Sequence, residues 1–127
     1  MLHHLTLWVP DLERAETSWS WLLGRLGYQR DRSVERIVLL RHPGGTSVVL
    51  EQSSDMVPGM LYSRLRPGLN HMAFHAPSGT DLSHIAAEAP EYGWSRFTSE
   101  RHAIAGGAEV VYLEDRDGFE VELVSST

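Results

Sequence analysis

The stretch HLTLWVPDLERAETSWSWLLG, residues 4–24, decides the fold because it places a strand directly before a helix. Residues 2–9 alternate in side-chain direction and are rich in strand-forming residues, and Pro10 ends the strand. Asp11 is a predicted helix N-cap, and the helical spacing of apolar residues after it predicts a helix over roughly residues 11–23. The chain therefore opens with a strand–helix unit.

The rest of the first half reads as three strands. Residues 28–31, 34–41 and 46–51 have strand-like composition. The turn His42-Pro43-Gly44-Gly45 joins the last two, because glycine tolerates positive φ and proline fixes its own φ. The order is strand, helix and three strands, and residues 53–68, which contain two prolines and two glycines, interrupt it as a crossover.

The same order of elements then returns. Residues 69–76 form a predicted strand, the run Pro77-Ser78-Gly79-Thr80 opens a helix, and residues 94–98, 109–113 and 119–124 are three more strands. Asp117-Gly118 is a predicted tight turn between the last two strands. We therefore predict one domain over residues 1–127, with a first module at 1–52, the crossover at 53–68 and a second module at 69–127. The predicted fold class is α+β, in which two βαβββ modules form an open barrel-like cavity with helices on the outside.

Composition excludes several classes of function. The chain has 127 residues, a net charge of −6 and no cysteine. The negative charge disfavours nucleic acids and anionic membranes as partners, and no apolar run reaches the roughly 20 residues of a membrane helix. The absence of cysteine and of a signal-peptide pattern leads us to expect a cytoplasmic protein.

Four residues form the candidate metal site. His4 and His71 open the first strand of each half, and Glu51 and Glu122 lie on the last strand of each half. All four fall on the strand face opposite the apolar, helix-facing residues. Two imidazoles and two carboxylates suit zinc, nickel, cobalt, manganese or iron as a divalent ion.

Each of these four residues, taken singly, also has an ordinary structural explanation. A histidine on a strand is usually hydrogen-bonded or at the surface, and a glutamate at a strand end is usually solvated. The joint placement favours the metal site, but the residues alone leave both interpretations open.

Four motifs resemble those of the vicinal oxygen chelate superfamily, which includes glyoxalase I, bleomycin resistance proteins and extradiol dioxygenases. Residues 4–15 are similar to its opening, a histidine strand followed by Asp-Leu-x-Arg. Residues 23–28 resemble its Leu-Gly helix end, residues 70–74 its second metal strand, and residues 114–123 its closing turn and Glu-Leu strand. Arg116 stands where the closing motif usually has proline. The resemblance covers nearly the whole chain.

The resemblance implies a metal-dependent enzyme. By likeness to glyoxalase I, the metal ligands are His4, Glu51, His71 and Glu122, and the reaction is that of a lyase or isomerase on a small substrate with adjacent oxygens. Glu51 or Glu122 would leave the ion and take a proton from the substrate. Extradiol dioxygenases and fosfomycin enzymes use only three of these ligands, so Glu51 favours the glyoxalase-like branch. A homodimer is also implied.

Two other functions remain open. An Fe(II) extradiol-type dioxygenase would need open positions on the ion for dioxygen, which a fourth ligand would crowd. A bleomycin resistance-type protein would bind a drug in an aromatic cavity without catalysis. We expect a small-molecule substrate or drug as the partner in every case.

Three further residues are candidates for binding the substrate. Trp8 shares the face of His4 and either lines a pocket or packs as a core aromatic. His75 shares the face of His71 and either contacts a ligand or is a buried, hydrogen-bonded histidine, the second being favoured. Glu120 has the same parity as Glu122 and either faces the cavity or lies at a solvated rim, and the rim is favoured.

Two other segments have a functional and an ordinary interpretation. Arg64 and Arg66 in the crossover either bind an anionic group of the substrate or are solvated loop arginines, and the second is favoured. Residues 98–107 form a glycine-containing loop that is either a lid or a plain connection.

Overall fold

The computed structural model of the chain describes residues 1–98 and 108–126. The chain divides into two compact units, Met1–Met60 and Leu61–Thr127. The division falls inside residues 53–68, the segment that the sequence assigns to a crossover. Most of the loop that the sequence interprets as a lid or a plain connection lies outside the described residues, since these exclude residues 99–107.

The first unit has the predicted order of elements. Asp11 caps the helix, because its side chain accepts a hydrogen bond from the Arg14 backbone N–H at 3.0 Å. The helix passes through Gly24 and ends two residues later than predicted. The bounds are β1 (His4–Trp8), α1 (Leu12–Arg25), β2 (Gln29–Val34), β3 (Ile37–Arg41) and β4 (Ser47–Glu51).

The predicted strand 34–41 is wrong in one respect, because the chain turns within it. Val34 ends β2 and pairs with Ile37, which begins β3. Arg36 in the connecting turn has a φ of +73°, a left-handed conformation that a non-glycine residue adopts mainly in turns. Nothing in the composition of this run marks the turn, since it contains neither glycine nor proline.

The second unit repeats the order. Asp81 is the N-cap of its helix and accepts hydrogen bonds from the Ser83 and His84 backbone N–H groups. A 3₁₀ helix, Ala89–Tyr92, continues from that helix and ends at Gly93, whose φ is +88°. The other bounds are β5 (Met72–His75), α2 (Leu82–Glu88), β6 (Ser95–Phe97), β7 (Val110–Glu114) and β8 (Glu120–Val124).

Each unit contains one four-stranded sheet with the same topology. The strand orders are β1-β4-β3-β2 and β5-β8-β7-β6. In each sheet the first strand pairs in parallel with the last strand of its unit, and the other pairs are antiparallel. The α+β class and the two βαβββ modules are thereby confirmed, while the barrel-like cavity stays a prediction.

The core of each unit lies between its helix and one face of its sheet. In the first unit, Trp19 and Leu22 of α1 and Leu50 of β4 are completely buried. In the second unit, Ile85 of α2 and Leu123 of β8 are completely buried. Burying a side chain of this size contributes about 1.5–3 kcal/mol. The face of each strand that carries the apolar residues therefore packs against the helix, and the polar residues lie on the other face.

The turn between β7 and β8 is longer than the predicted Asp117-Gly118 pair. It runs over residues 115–119, and the Asp115 carboxylate accepts hydrogen bonds from the backbone N–H groups of Asp117 and Phe119, both at 2.9 Å. Gly118 has a φ of +90°, which explains the glycine there.

None of the helices within residues 1–98 and 108–126 is both long enough and apolar enough to cross a membrane.

Candidate functional site

In the first unit, the register of β1 against β4 separates two of the predicted ligands. His4 pairs with Ser47 at one end of the strand pair, and Trp8 pairs with Glu51 at the other end. His4 and Glu51 are thus four residues apart along the sheet, which is about 13 Å at the usual strand rise of about 3.3 Å per residue. Side chains on a strand stand roughly perpendicular to the sheet, so the ring of His4 and the carboxylate of Glu51 are separated by a similar distance.

This separation corrects the predicted pairing of His4 with Glu51. Two atoms that bind the same ion at about 2.1 Å lie at most about 4.2 Å apart. The carboxylate of Glu51 instead accepts a hydrogen bond from the Trp8 Nε1–H at 3.1 Å. The structure therefore does not bring His4 and Glu51 together as ligands of one ion.

Trp8 is a surface residue and does not pack in the core. Its exposed fraction is 47%, although the residue before it, Leu7, is buried. The interpretation as a core aromatic is therefore wrong. The indole keeps an exposed ring face beside a carboxylate, a combination that suits contact with a small molecule.

His4 is exposed on the same strand face as Trp8. Its Nδ1 lies 2.8 Å from the Nδ1 of His3, so one of these two rings donates and the other accepts. The Nε2 atom on the far side of the His4 ring is the atom that could bind an ion.

In the second unit, two predicted ligands do meet. His71 directly precedes β5, and Glu122 lies on β8 opposite Ala73, two residues beyond His71. The His71 Nε2 atom lies 3.6 Å from the Glu122 Oε1 atom. The side-chain exposure is 22% for His71 and 9% for Glu122, so the pair is largely shielded from water.

The two units differ at the position that carries Glu122. Ala73, the partner of Glu122, is two residues beyond His71, and the residue two beyond His4 is Thr6, which pairs with Val49. Val49 is therefore the counterpart of Glu122 in the first unit, and Glu51 is the counterpart of Val124. Glu51, which strand alternation predicts as a ligand, therefore lies two residues further along its strand than the position equivalent to Glu122.

Among residues 1–98 and 108–126, no three His, Asp or Glu side chains form a group that could hold a metal ion. Within that part of the chain, His71 and Glu122 are the predicted ligands that the structure brings within ion-binding distance of each other.

Glu120 is buried, which contradicts the favoured solvated rim. Its exposed fraction is 1%, and its Oε1 atom lies 3.3 Å from the Nε atom of Arg64. Glu114, directly opposite Glu120 in the β7–β8 ladder, accepts a hydrogen bond from the Arg64 Nη1 atom at 2.5 Å. Arg64 is thus a bridge between two carboxylates, and its interpretation as a solvated loop arginine is wrong.

The surroundings of Arg64 are aromatic as well as acidic. Its guanidinium carbon lies 5.3 Å from the centre of the Phe97 ring, and Tyr62 stacks on Phe119 with ring centres 4.1 Å apart. Burial raises the pKa of the Tyr62 phenol, Arg64 opposes this shift and Glu120 adds to it. The phenol of Tyr62 donates to the Leu69 carbonyl oxygen, so it remains protonated in this position.

His75 is exposed, so the favoured interpretation as a buried histidine is wrong. It pairs with Val124 at the far end of β5, in the position that Trp8 has in the first unit. Both residues therefore lie at the same step of the repeated strand pair, with their side chains open to solvent.

Sequence reasoning missed the roles of Asn70 and Glu114. Asn70 contacts the His71 ring, since its Oδ1 atom lies 2.9 Å from His71 Nδ1. Glu114 and Glu120 flank the predicted Asp-Gly turn at positions that face each other across a hairpin. Two like charges in that arrangement repel each other, and this was the available signal that a cation lies between them.

Comparison with known proteins identifies the family. The family model of the glyoxalase/bleomycin resistance protein/dioxygenase superfamily matches residues 3–112. The chain belongs to this superfamily. The uncharacterized protein YqjT of Bacillus subtilis (strain 168) is 32% identical over 126 residues, with 98% of each chain covered.

Solved structures of superfamily members share the fold. A candidate glyoxalase from Bacillus halodurans is similar at 36% identity and a TM-score of 0.84, with 98% of this chain and 95% of that chain covered. A glyoxalase/bleomycin resistance protein from Albidiferax ferrireducens T118 is similar at 20% identity and a TM-score of 0.72, with 100% and 99% covered. The second likeness concerns the fold alone.

The contacts of Arg64 with Glu114 and Glu120 predict that this arginine stabilises the fold. We expect Arg64→Met to lower the free energy of unfolding by about 2–4 kcal/mol, because it removes the cation beside the buried Glu120 carboxylate. Replacing Glu120 by Gln in the same chain should recover part of the loss, since no buried charge then remains there. Urea denaturation followed by circular dichroism measures both effects.

The matched control is Arg66→Met, which removes an exposed arginine from the same segment. It should change the free energy of unfolding by less than about 0.5 kcal/mol. Equal losses in the two arginine variants would show that the Arg64 bridge does not stabilise the fold.

Proposed function

We propose that the protein is a divalent-metal-dependent lyase or isomerase of the glyoxalase I type, acting on a small substrate with two adjacent oxygens. The observation that carries the proposal is the close approach of the His71 Nε2 atom to the Glu122 carboxylate. Superfamily membership supports a site for a divalent metal, and this pair supports nitrogen and carboxylate ligands for it.

The separation of 3.6 Å fits two ligands better than a direct hydrogen bond. Hydrogen bonds between nitrogen and oxygen are about 2.7–3.2 Å long. Two atoms that bind one ion at about 2.1 Å, by contrast, can be up to about 4.2 Å apart. The distance leaves room for a cation between the two atoms.

His71 and Glu122 would hold the ion, and His4 is the third ligand that we propose, on the resemblance alone. Nitrogen and carboxylate donors suit zinc, nickel, cobalt, manganese or iron. Such an ion, when bound, supplies a Lewis acid for the negative charge that develops on the two substrate oxygens.

Glu122 would move the proton. Its carboxylate takes a proton from the substrate carbon next to a carbonyl group, and the electron pair of the broken C–H bond shifts to the carbonyl oxygen, giving an enediolate. Glu122 then returns the proton to the neighbouring carbon, while the hydroxyl proton on the oxygen of the first carbon passes to the oxygen of the second. One carbonyl forms as the other is reduced, so the isomerisation balances without an external oxidant or reductant. The low exposure of Glu122 keeps water away from this transfer.

Trp8 and His75 are the residues that we propose to contact the substrate. They occupy equivalent steps of the two strand pairs, and both are exposed. Glu120 is no longer proposed for this role, because Arg64 pairs with it and only 1% of it is exposed. Glu51 is no longer proposed as a ligand or as the base.

The name of one relative supports the glyoxalase class. The Bacillus halodurans protein, 36% identical to this chain, is described as a candidate glyoxalase. Glu51 does not support that class as a fourth ligand, because the register separates it from His4.

One observation favours a second candidate, an Fe(II) extradiol-type dioxygenase. Val49 lies at the position of β4 that is equivalent to Glu122 of β8, so the first unit has a valine where the second has a carboxylate. A site with two histidines and one glutamate keeps more open positions on the ion, as a reaction with dioxygen requires.

Metal binding tests the proposed site directly. We expect the purified protein to bind nickel, zinc, manganese or anaerobic iron(II) in equilibrium dialysis with about one ion per chain. His71→Ala and Glu122→Gln should each weaken binding by more than the roughly 10- to 100-fold that loss of a supporting group causes. Matched controls are His75→Ala and Glu51→Gln, which should change the affinity less than about twofold. Equal binding by all four variants, or none by the parent protein, would reject the site.

Activity assays separate the candidate functions. We expect the metal-loaded protein to convert hemithioacetals of a 2-oxoaldehyde and a small thiol into thioesters, followed by ultraviolet absorbance, and Glu122→Gln to lose this activity. Ring cleavage of catechols with iron(II) and dioxygen would favour the dioxygenase instead. Tight binding of bleomycin by metal-free protein, without turnover of any of these substrates, would favour drug sequestration.

We also propose that the protein forms a homodimer. Leu61, Leu65 and Leu69 of the segment before β5 are 71%, 86% and 37% exposed in the single chain. Apolar side chains concentrated in one exposed segment are typical of an interface. The negative net charge disfavours a nucleic acid or an anionic membrane as the partner of this segment.

Sedimentation equilibrium tests the dimer. We expect the mass of two chains for the parent protein, and a shift towards one chain for the double variant Leu61→Asp, Leu65→Asp, because burying two carboxylates in an interface is costly. Arg116→Asp, at an exposed turn, controls for added negative charge and should remain dimeric. A monomeric parent protein would reject the proposal.

A further inference from the structure

The side-chain amide of Asn70 lies between a backbone carbonyl and the His71 ring. Its Nδ2 atom donates to the Arg64 carbonyl oxygen at 3.1 Å, and its Oδ1 atom lies 2.9 Å from His71 Nδ1. The three groups belong to the second unit and are all within the segment that precedes β5.

The donors and acceptors in this chain allow a single assignment. A backbone carbonyl oxygen can only accept, so the amide NH₂ of Asn70 must face Arg64. The amide oxygen must then face the ring of His71, and it too can only accept. His71 Nδ1 therefore carries a proton, and in the neutral ring Nε2 carries none.

The unprotonated Nε2 atom is the one that faces Glu122. A bare imidazole nitrogen and a carboxylate oxygen are both acceptors, and here they are 3.6 Å apart. With the ring neutral, two acceptors at that distance repel each other unless a proton or a metal cation lies between them. The Asn70 contact thus turns the His71–Glu122 pair into a site that favours a positive ion.

The Arg64 carbonyl that orients Asn70 is itself fixed in place. The Arg64 side chain donates a hydrogen bond to Glu114 and forms an ion pair with Glu120, and the two carboxylates face each other on β7 and β8. Glu120 is two residues from Glu122 on the same strand. The backbone that holds Asn70 and the carboxylate that faces His71 are therefore both positioned by β8.

We propose that Asn70 is a positioning residue for His71, holding its ring with a proton on Nδ1 and with Nε2 free to bind a cation. The proposal rests on the proposed metal site for its functional meaning, but the position of the proton is a property of the metal-free chain. In metalloproteins, groups that hold the second nitrogen of a histidine ligand fix its tautomer and raise its affinity for the ion.

Long-range proton–nitrogen NMR of the histidine rings tests the tautomer without any metal. In mildly alkaline buffer, where imidazoles are neutral, we expect His71 to show the pattern of a ring protonated at Nδ1. His42 is an internal reference with the opposite pattern, because its Nδ1 accepts from the Gly44 backbone N–H at 2.9 Å. A His71 ring protonated at Nε2 would overturn the proposal.

Two substitutions separate positioning from a general structural role. Asn70→Leu removes the acceptor, and we expect His71 to shift towards protonation at Nε2 and metal affinity to fall about 10- to 100-fold. Asn70→Asp keeps an acceptor beside Nδ1, so the Nδ1-protonated pattern should persist. An unchanged His71 pattern in Asn70→Leu would overturn the proposal, and so would loss of that pattern in Asn70→Asp while the pattern of His42 stays unchanged.

The two proposals fail in different ways. If His71 is protonated at Nδ1 in the parent protein and shifts in Asn70→Leu, the positioning role stands even when no ion binds, and only the metal site is rejected. If the ion binds and His71→Ala abolishes binding, but Asn70→Leu changes neither the tautomer nor the affinity, the metal site stands and the role of Asn70 is rejected.

Discussion

The parallel register of β5 against β8 determines which polar groups can meet in the second unit. It places Glu122 opposite Ala73 and therefore within reach of His71, which precedes the strand by one residue. A shift of one residue would turn Glu122 towards α2, and a shift of two would move it about 7 Å along the strand at the usual rise. The buried Val121 and Leu123 oppose the first of these shifts, because they must stay on the helix-facing side of β8. The helix–sheet core thus fixes the face on which the candidate site is built.

The polar face of β8 also has an electrostatic requirement. The β7–β8 ladder sets Glu114 directly against Glu120, and the burial of Glu120 makes their repulsion costly. The guanidinium of Arg64 offsets it, since one planar group can donate to both carboxylates. Anchoring Arg64 has a second effect, because its backbone carbonyl holds Asn70 and Asn70 holds His71. The same short segment, residues 64–71, therefore compensates the charge of the two carboxylates and orients His71.

The element order and the polar face could be predicted from the sequence, because both depend on local patterns. Helix caps at Asp11 and alternation along β1 and β8 are signals within a few residues. The register between strands is not such a signal. Positions two residues apart share parity, so alternation does not distinguish Val49 from Glu51, and the carboxylate is the side chain that can bind a metal. One local difference does separate the halves. Glu122 lies in the middle of its strand, whereas Glu51 ends its strand and is followed by Gln52 and Ser53.

The difference between Val49 and Glu122 bears on what the two units contribute. At the equivalent strand positions the first unit has Val49 and the second has Glu122, and the second unit also has an asparagine that contacts its histidine and an arginine whose carbonyl holds that asparagine. In the first unit, the histidine that opens the strand contacts a second histidine, and the Glu51 carboxylate, about 13 Å away along the sheet, accepts a hydrogen bond from the indole of Trp8. Val49 in place of a carboxylate keeps the strand pairing of the first unit. One position can therefore change the polar groups on a sheet without changing the sheet, so members of one superfamily can share both sheets and differ in reaction.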